Sequence, residues 1–287
     1  MIGYSSLVVV KNEIIACQVA SLLEKTQPSP QGVGVFEIEN GDGEWEVGAY
    51  YKKNPKIIQF LLIEKIFGIN FVFSKIENEN WVKKVQRDLK PVALKDFVVC
   101  SSHYIKKIKT NKIKIEIQSS MAFGTGHHGT TVGCLKALEF LNKKKSNLKN
   151  FLDLGTGTGL LAISISKKFK ISGLATDCDE ISYRVAKNNI KKNGLSNKII
   201  VVKAYGFNKK IIRSFYNYDI IIANILLNPL CSLAKEFSVR LNNSGFLILS
   251  GITKNQFSKI YSVFKSYNFL LYKKFFVGNW VTIILRK

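Results

Sequence analysis

One stretch constrains this chain more than any other. An apolar run at Asn150–Leu154 leads into Asp153-Leu154-Gly155-Thr156-Gly157-Thr158-Gly159, and a helix-forming segment follows to about Lys168. A strand, a glycine loop and a helix in that order form the first unit of an open α/β sheet, in which the loop backbone can approach a ligand closely. The downstream pattern repeats the unit. Ser172–Thr176 is predicted as a strand ending at Asp177, and Asp179 as the N-cap of a helix that runs to Asn193 and stops at Gly194. Further strands are expected at Lys198–Lys203, Asp219–Ala223 and Gly245–Ser250, with helices over Asn228–Leu241 and Gln256–Ser266. Phe269–Val277 and Trp280–Arg286 read as a terminal hairpin turned at Gly278-Asn279. Such alternation predicts a doubly wound, mostly parallel sheet whose ligand crevice lies beyond the carboxyl ends of its strands.

The residue types in that crevice narrow the ligand. A glycine loop and an acid at Asp177 suit a ribose, whose hydroxyls donate to the carboxylate. The dinucleotide pattern G-x-G-x-x-G is not met, because position 160 is Leu and the third glycine is Gly159. Asp153 would also repel a pyrophosphate, whereas it would favour an ammonium or a sulfonium. S-adenosylmethionine carries both cations, a ribose and no phosphate. Asp153, Gly155, Gly157, Gly159 and Asp177 are therefore expected to hold that cofactor rather than NAD.

Upstream the chain changes character. Residues 1–85 hold nine basic and ten acidic side chains, while residues 86–287 hold 34 basic and ten acidic. A uniform coding bias toward lysine would not make this step, so it marks a boundary between regions with different partners. The excess in the second region is either compositional or an attraction to an anionic partner such as RNA or a ribosomal surface. The first region predicts a small βαββαβ, ferredoxin-like module: strands at Ser6–Val10, Val33–Glu39, Glu44–Tyr51 and Asn70–Ser74, and helices at Glu13–Lys25 and from Asn54-Pro55 to Phe67. A four-residue turn at 40–43 would set Glu39 opposite Glu44 and Glu37 opposite Glu46, on one face of the hairpin. That acidic stripe would either dock a basic protein or simply be solvated. Its charge argues against an RNA-binding sheet. Residues 78–120 are expected to be a connector, with a helix at Asn78–Leu89 and strand-like stretches at Asp96–Cys100 and Lys112–Ile117.

Composition excludes several classes. No run of about 18 apolar residues is present to cross a membrane, and the first residues lack the basic and apolar regions of a secretion signal. Five scattered cysteines with no C-x-x-C pair do not make a zinc ribbon or a disulfide scaffold, and a cytoplasmic setting is expected. His127 and His128 lack the further ligands that a metal needs. His128 is expected to order the Gly124–Gly129 loop or to cap the helix after it.

Two more stretches complete the picture. Met121-Ala122-Phe123-Gly124-Thr125-Gly126-His127-His128-Gly129-Thr130-Thr131 precedes the core, and Ala223-Asn224-Ile225-Leu226-Leu227-Asn228-Pro229-Leu230 follows the fourth strand. With the D-x-G-x-G-x-G loop, they resemble the bacterial PrmA family of class I S-adenosylmethionine-dependent methyltransferases, which modify ribosomal protein L-eleven (L11). The resemblance is strong over residues 78–287 and weaker before them. It implies a substrate-recognition domain at 1–77, a connector at 78–120 and a methyltransferase domain at 121–287. It also implies that Thr131, Gly155, Asp177 and Asn224 contact the cofactor, and that Phe123, Gly124, Thr125 and Gly126 belong to a loop lying over it. Asn224 takes the place of the Asn in the N-P-P-Y motif of amine methyltransferases, where the side-chain amide accepts hydrogen bonds from the target amine. The chain has Ile225-Leu226-Leu227 in place of the stacking aromatic, which favours an aliphatic amine over a planar nitrogen. The resemblance thus implies methylation of the N-terminal α-amine and lysine ε-amines of ribosomal protein L-eleven; a monomer is expected, and the basic second region suggests loose contact with ribosomal RNA. An RNA methyltransferase and a non-catalytic ribosome-binding factor are the alternatives.

Overall fold

In the computed structural model, residues 2–38, 43–77, 91–118, 124–141, 148–214 and 217–287 are described. They fall into two compact units, Met1–Val85 and Gln86–Lys287.

The first unit runs β1 (Ile2–Val10), α1 (Glu13–Leu23), β2 (Gly32–Glu37), β3 (Trp45–Tyr51), α2 (Ile57–Phe67) and β4 (Val72–Glu77). Its antiparallel sheet has the order β2–β3–β1–β4, so the expected element order is present. Asn12 caps α1 by accepting from the Ile15 amide at 2.9 Å, and Gly68 ends α2 in the left-handed conformation. Val8, Val10, Val47 and Ala49 pack with Ala16, Val19 and Leu23 of α1 and Phe60 of α2.

The hairpin register corrects the acidic stripe. Val35 pairs with Val47, Phe36 with Glu46 and Glu37 with Trp45, and the Ile38 amide donates to the Glu44 carbonyl. Paired residues share a face, so Glu46 lies with Phe36, and Glu37 lies on the opposite face. Glu39 is outside the described residues. The reason is burial: only this register brings Val33 and Val35 onto the same face as Val47 and Ala49, against the helices. A slip of one residue would turn the valines outward to align the glutamates.

The second unit opens with β5 (Val92–Ala93), β6 (Phe97–Cys100), α3 (Ser102–Ile105) and β7 (Ile113–Glu116). These strands form a small sheet of their own. Phe97, Val99, Ile115 and Ile117 are buried in the large core, and Asn193 bonds the backbone of Glu116 in both directions. The segment expected to be a connector is thus, from 91 onward, part of the second unit. Its alternating apolar residues need a partner surface, and the large core supplies one. The helix expected at Asn78–Leu89 lies outside the described residues.

Next come α4 (Gly129–Leu141), β8 (Asn150–Leu154), α5 (Leu160–Phe169), β9 (Ser172–Asp177), α6 (Glu180–Lys192), β10 (Ile199–Lys203), α7 (Lys210–Ser214) and β11 (Tyr218–Asn224). The chain ends with α8 (Leu227–Ser232), α9 (Ala234–Arg240), β12 (Leu241–Thr253), α10 (Phe257–Lys265), β13 (Leu270–Val277) and β14 (Trp280–Arg286). The helix expected over Asn228–Leu241 is two helices that meet at Leu233, whose side chain turns toward Gly206.

The sheet order is β10–β9–β8–β11–β12–β14–β13, and β14 alone runs opposite to the other six strands. Ile220, Ile221 and Ile222 of central β11 are fully buried, as expected for a parallel strand covered on both faces. Succession goes outward from β8 to β10, then restarts at β11 on the other side of β8. That reversal opens a crevice at the carboxyl ends of β8 and β11.

Candidate active site

The crevice holds a cavity of about 510 Å³, within the range of small-molecule sites. Gly155, Gly157, Asp177 and Asn224, all singled out from the sequence, line it. The glycine loop is held from behind. The amides of Gly155 and Thr156 both donate to the Thr176 carbonyl at 2.9 Å, and Asn189 Nδ2 donates to the Thr158 carbonyl at 2.9 Å. Gly155 has φ +74°, and a Cβ there would stand 2.4 Å from Ile225 Cγ2. Only glycine lets the loop pass so close to the chain leaving β11. At Gly159 the constraint is packing, since a Cβ would press on the Ala186 backbone of α6 at 3.3 Å.

Asp177 ends β9 at the cavity wall. Its Oδ2 accepts from the Gly157 amide at 2.9 Å and its Oδ1 from the Asp179 amide at 3.0 Å. Each oxygen keeps a lone pair for a ligand hydroxyl. Asp179 caps α6 through the Ser182 amide at 2.8 Å, as the sequence predicts.

Asp153 is placed otherwise than expected. It is wholly buried under the loop and is not among the described residues that line the cavity. Its Oδ2 accepts from Thr156 Oγ1 at 2.6 Å and from the Ala162 amide at 2.9 Å, while Oδ1 has no hydrogen-bond partner among the described residues. Burial pushes its pKa up to about 7, with the Asp177 charge adding to the shift and the two donors opposing it. Asp153 therefore shapes the loop from below. The sequence marks where a strand ends, but not whether the last side chains turn up to the ligand or down into the core.

Thr131 is also behind the wall, where its Oγ1 accepts from Asn224 Nδ2 at 3.5 Å, and Thr130 takes its place in the lining. Among the described residues, Asn224 Oδ1 is buried without a hydrogen-bond partner. An amide oxygen left so costs about 1–3 kcal/mol, which a donor arriving with a ligand would offset. Gly124 is fastened to the glycine loop, its carbonyl accepting from Thr158 Oγ1 at 2.6 Å. Gly124, Thr125 and Gly126 are not among the described residues lining the cavity, and Phe123 lies outside the described residues. His128 Nδ1 accepts from the Thr130 amide at 3.4 Å at the start of α4, the capping role expected of it, and it also lines the cavity. Burial holds its pKa below the ordinary histidine value.

Sequence reasoning missed Gly251, Tyr205 and Trp280, which all line the cavity, as does Leu226 of the stretch after β11. Gly251 stands near the carboxyl end of parallel β12 and was findable by the strand-end rule. Trp280 was hidden because β14 is reversed, so its first residue, not its last, reaches the crevice.

The donor set fits the expected cofactor. One carboxylate at the second strand end suits ribose hydroxyls, the glycine cradle admits backbone contact, and Asn224 carries an unused acceptor.

Comparison with known proteins points to one family. The model of the ribosomal protein L11 methyltransferase (PrmA) family matches residues 10–287. A relative with that name from Rhizobium leguminosarum bv. trifolii is 36% identical over 256 residues, covering 88% of this chain and 87% of its own. One from Rhodopseudomonas palustris is 33% identical over 284 residues, covering 97% and 96%. Among solved structures, a ribosomal protein L11 methylase from Lactobacillus delbrueckii subsp. bulgaricus superposes with a TM-score of 0.61 at 24% identity, over 69% of this chain and 99% of that one, and so shares the fold.

Proposed function

The chain belongs to the ribosomal protein L11 methyltransferase (PrmA) family, and on that premise we propose that it transfers methyl groups from S-adenosylmethionine to aliphatic amines of ribosomal protein L11, the N-terminal α-amine and lysine ε-amines. The observation that carries this reading is the single cavity that holds both Asp177, suited to a ribose, and Asn224, whose buried Oδ1 has no partner among the described residues. When bound, S-adenosylmethionine supplies an electrophilic methyl group. Asp177 would hold the ribose hydroxyls, and the loop from Gly155 to Gly157 would lie along the cofactor. Asn224 Oδ1 would accept from the target amine and orient its lone pair toward the methyl group. Among the described residues lining the cavity, Asp177 is the only carboxylate. Proximity and orientation, rather than a side-chain base, are then the main catalytic terms.

The first unit would recognise the protein substrate. Its α2 turns Ile57, Ile58, Leu61, Leu62 and Ile66 to solvent, a wide apolar face for a surface helix. We take the chain to act as a monomer. An L11 substrate places the reaction in the cytoplasm, and among the described residues no helix is long and apolar enough to cross a membrane. The basic second region would add loose contact with ribosomal RNA. That same charge favours the second reading, an RNA methyltransferase.

Incubation with labelled S-adenosylmethionine and a ribosomal extract, followed by RNase or protease digestion, separates the readings. Label that survives RNase and is lost to protease supports protein methylation. The reverse supports the RNA reading, and no label supports a binding factor.

A further inference from the structure

Carboxylates are unevenly placed along this chain. All 20 Asp and Glu residues precede residue 237, and the stretch from Phe237 to Lys287 holds eight lysines and arginines with no Asp or Glu. A coding bias toward lysine would raise the basic count everywhere, but it would not empty one stretch of acids. After the last residues of α9, that stretch builds β12, α10, β13 and β14. One end of the large sheet is therefore cationic, while Asp177, Asp179 and Glu180 lie toward the opposite end, at β9 and α6.

At that end, cations and rings meet on one surface. β13 is the edge strand of the sheet, beside β14. Lys274 pairs with Ile283 and Phe276 with Val281, and Val281 and Ile283 are buried in one core with Ile260 and Phe264 of α10. Paired residues share a face, so Lys274 and Phe276 stand on the α10 side of the sheet. There α10 offers Phe257 and Tyr261, one turn apart, whose rings are stacked at 5.8 Å with 7° between their planes. Lys274 Nζ lies 4.4 Å from the centre of the Phe257 ring. Lys254 Nζ, from the turn before α10, lies 5.8 Å from the centre of the Phe276 ring. The Lys254 amide donates to the Asn279 carbonyl at 3.0 Å, which ties that turn to the terminal hairpin. Both lysines are exposed, Phe276 is 52% exposed, and neither lysine forms an ion pair among the described residues. Helix α8, which packs on α10, carries no acid either.

Lysines on an edge strand also blunt pairing with other sheets. That role does not call for a half-exposed phenylalanine on the same strand, or for Lys254 beside its ring. Cations set against aromatic rings are what single-stranded nucleic acid requires: the lysines neutralise phosphates, a ring receives a base, and no carboxylate repels the backbone. We propose that this surface of α10 and β13 binds single-stranded RNA, with Lys254 and Lys274 on phosphates and Phe276 stacked on a base. The choice of RNA over another polyanion rests on the ribosomal substrate read above. The proposal deepens that reading by confining its loose RNA contact to one edge of the sheet.

Fluorescence anisotropy of the full chain with a fluorescein-labelled oligouridine of twelve nucleotides, over a series of salt concentrations, tests this. Lys254→Gln combined with Lys274→Gln should weaken binding at least tenfold at low salt. It should also flatten the dependence of log K on log salt by about 1.4, two single-strand phosphate contacts at about 0.7 each. Phe276→Ala should weaken binding at least fivefold with that slope unchanged, as loss of a stacked base does. Lys187→Gln combined with Lys191→Gln removes the same charge from exposed positions on α6 and should leave binding within twofold. Equal losses from the two lysine pairs would make the attraction diffuse and overturn the proposal. So would binding to vesicles of phosphatidylglycerol and phosphatidylcholine with none to the oligouridine. On free L11, kcat/KM should stay within twofold of wild type in Lys254→Gln with Lys274→Gln; a tenfold loss there would make the surface part of protein recognition and overturn the RNA assignment. A wild type that binds the oligouridine through these residues but methylates no L11 would refute the functional reading and support the surface.

Discussion

Replacing Asp153 with Asn removes a charge that the fold holds at a cost. The carboxyl is wholly buried, one oxygen has no partner among the described residues, and its pKa rises to about 7. In the unfolded chain the value is about 3.9, so the difference is about three units, worth about 4 kcal/mol at 1.36 kcal/mol per unit. The sign comes from proton binding. Between the two values the folded state holds the proton and the unfolded state has lost it, so raising the pH favours unfolding. This stabilisation is complete below about pH 4 and is lost as the pH climbs through 7. Asn keeps an oxygen to accept from Thr156 and Ala162 but does not titrate. Urea unfolding of both proteins at several pH values measures the effect. The stability of Asp153→Asn relative to wild type should increase by about 3 kcal/mol from pH 5 to pH 8, with most of the slope below pH 7. Other titrating groups cancel in that difference, and burial keeps the nearby Cys134 thiol protonated throughout. A difference that stays constant across the range would refute the placement of a strained carboxyl beneath the loop.

Further substitutions probe other parts of the argument. Gly155→Ala adds a Cβ 2.4 Å from Ile225 Cγ2 at a left-handed position; calorimetry with S-adenosylhomocysteine should show at least a hundredfold weaker binding, and unchanged affinity would remove the cradle. Asp177→Ala deletes at least one charge-assisted bond worth about 1.5–3 kcal/mol, so the same titration should weaken by at least roughly 10-fold. Gly133→Ala would set a Cβ 2.2 Å from Thr282 Oγ1, which bonds Ser250 at 2.7 Å; overpacking of about 1–3 kcal/mol should lower the melting temperature, and an unaltered melt would contradict that close approach. Leu62→Glu on exposed α2 should alter stability by under about 0.5 kcal/mol while reducing kcat/KM for L11 at least tenfold; an unchanged kcat/KM would remove α2 from substrate recognition.

Local pattern carried much of the architecture. Apolar periodicity, the glycine loop and the caps at Asp179 and Gly194 are short-range signals, and each element they marked in the second unit is present, although the stretch over Asn228–Leu241 divides at Leu233. The charge step near residue 85 coincides with the division between the two units. Gly155, Gly157, Asp177 and Asn224 were legible as cavity residues because strands that end at a switch point present their last residues and the loops after them to the crevice.

Only folding decided which way side chains turn and which strands meet. Asp153 faces the core because its carboxyl ties the loop to α5, a contact made through space. The glutamate hairpin took the register that buries its valines, since burying them outweighs aligning or separating surface charges. The strands after residue 91 joined the large core because their apolar residues find a surface only there. Trp280 reached the cavity through a reversed strand, 127 positions from Asp153 in sequence. Sequence determined the parts and their local order; the burial of apolar surface at long range determined which faces met, and thereby the far wall of the site.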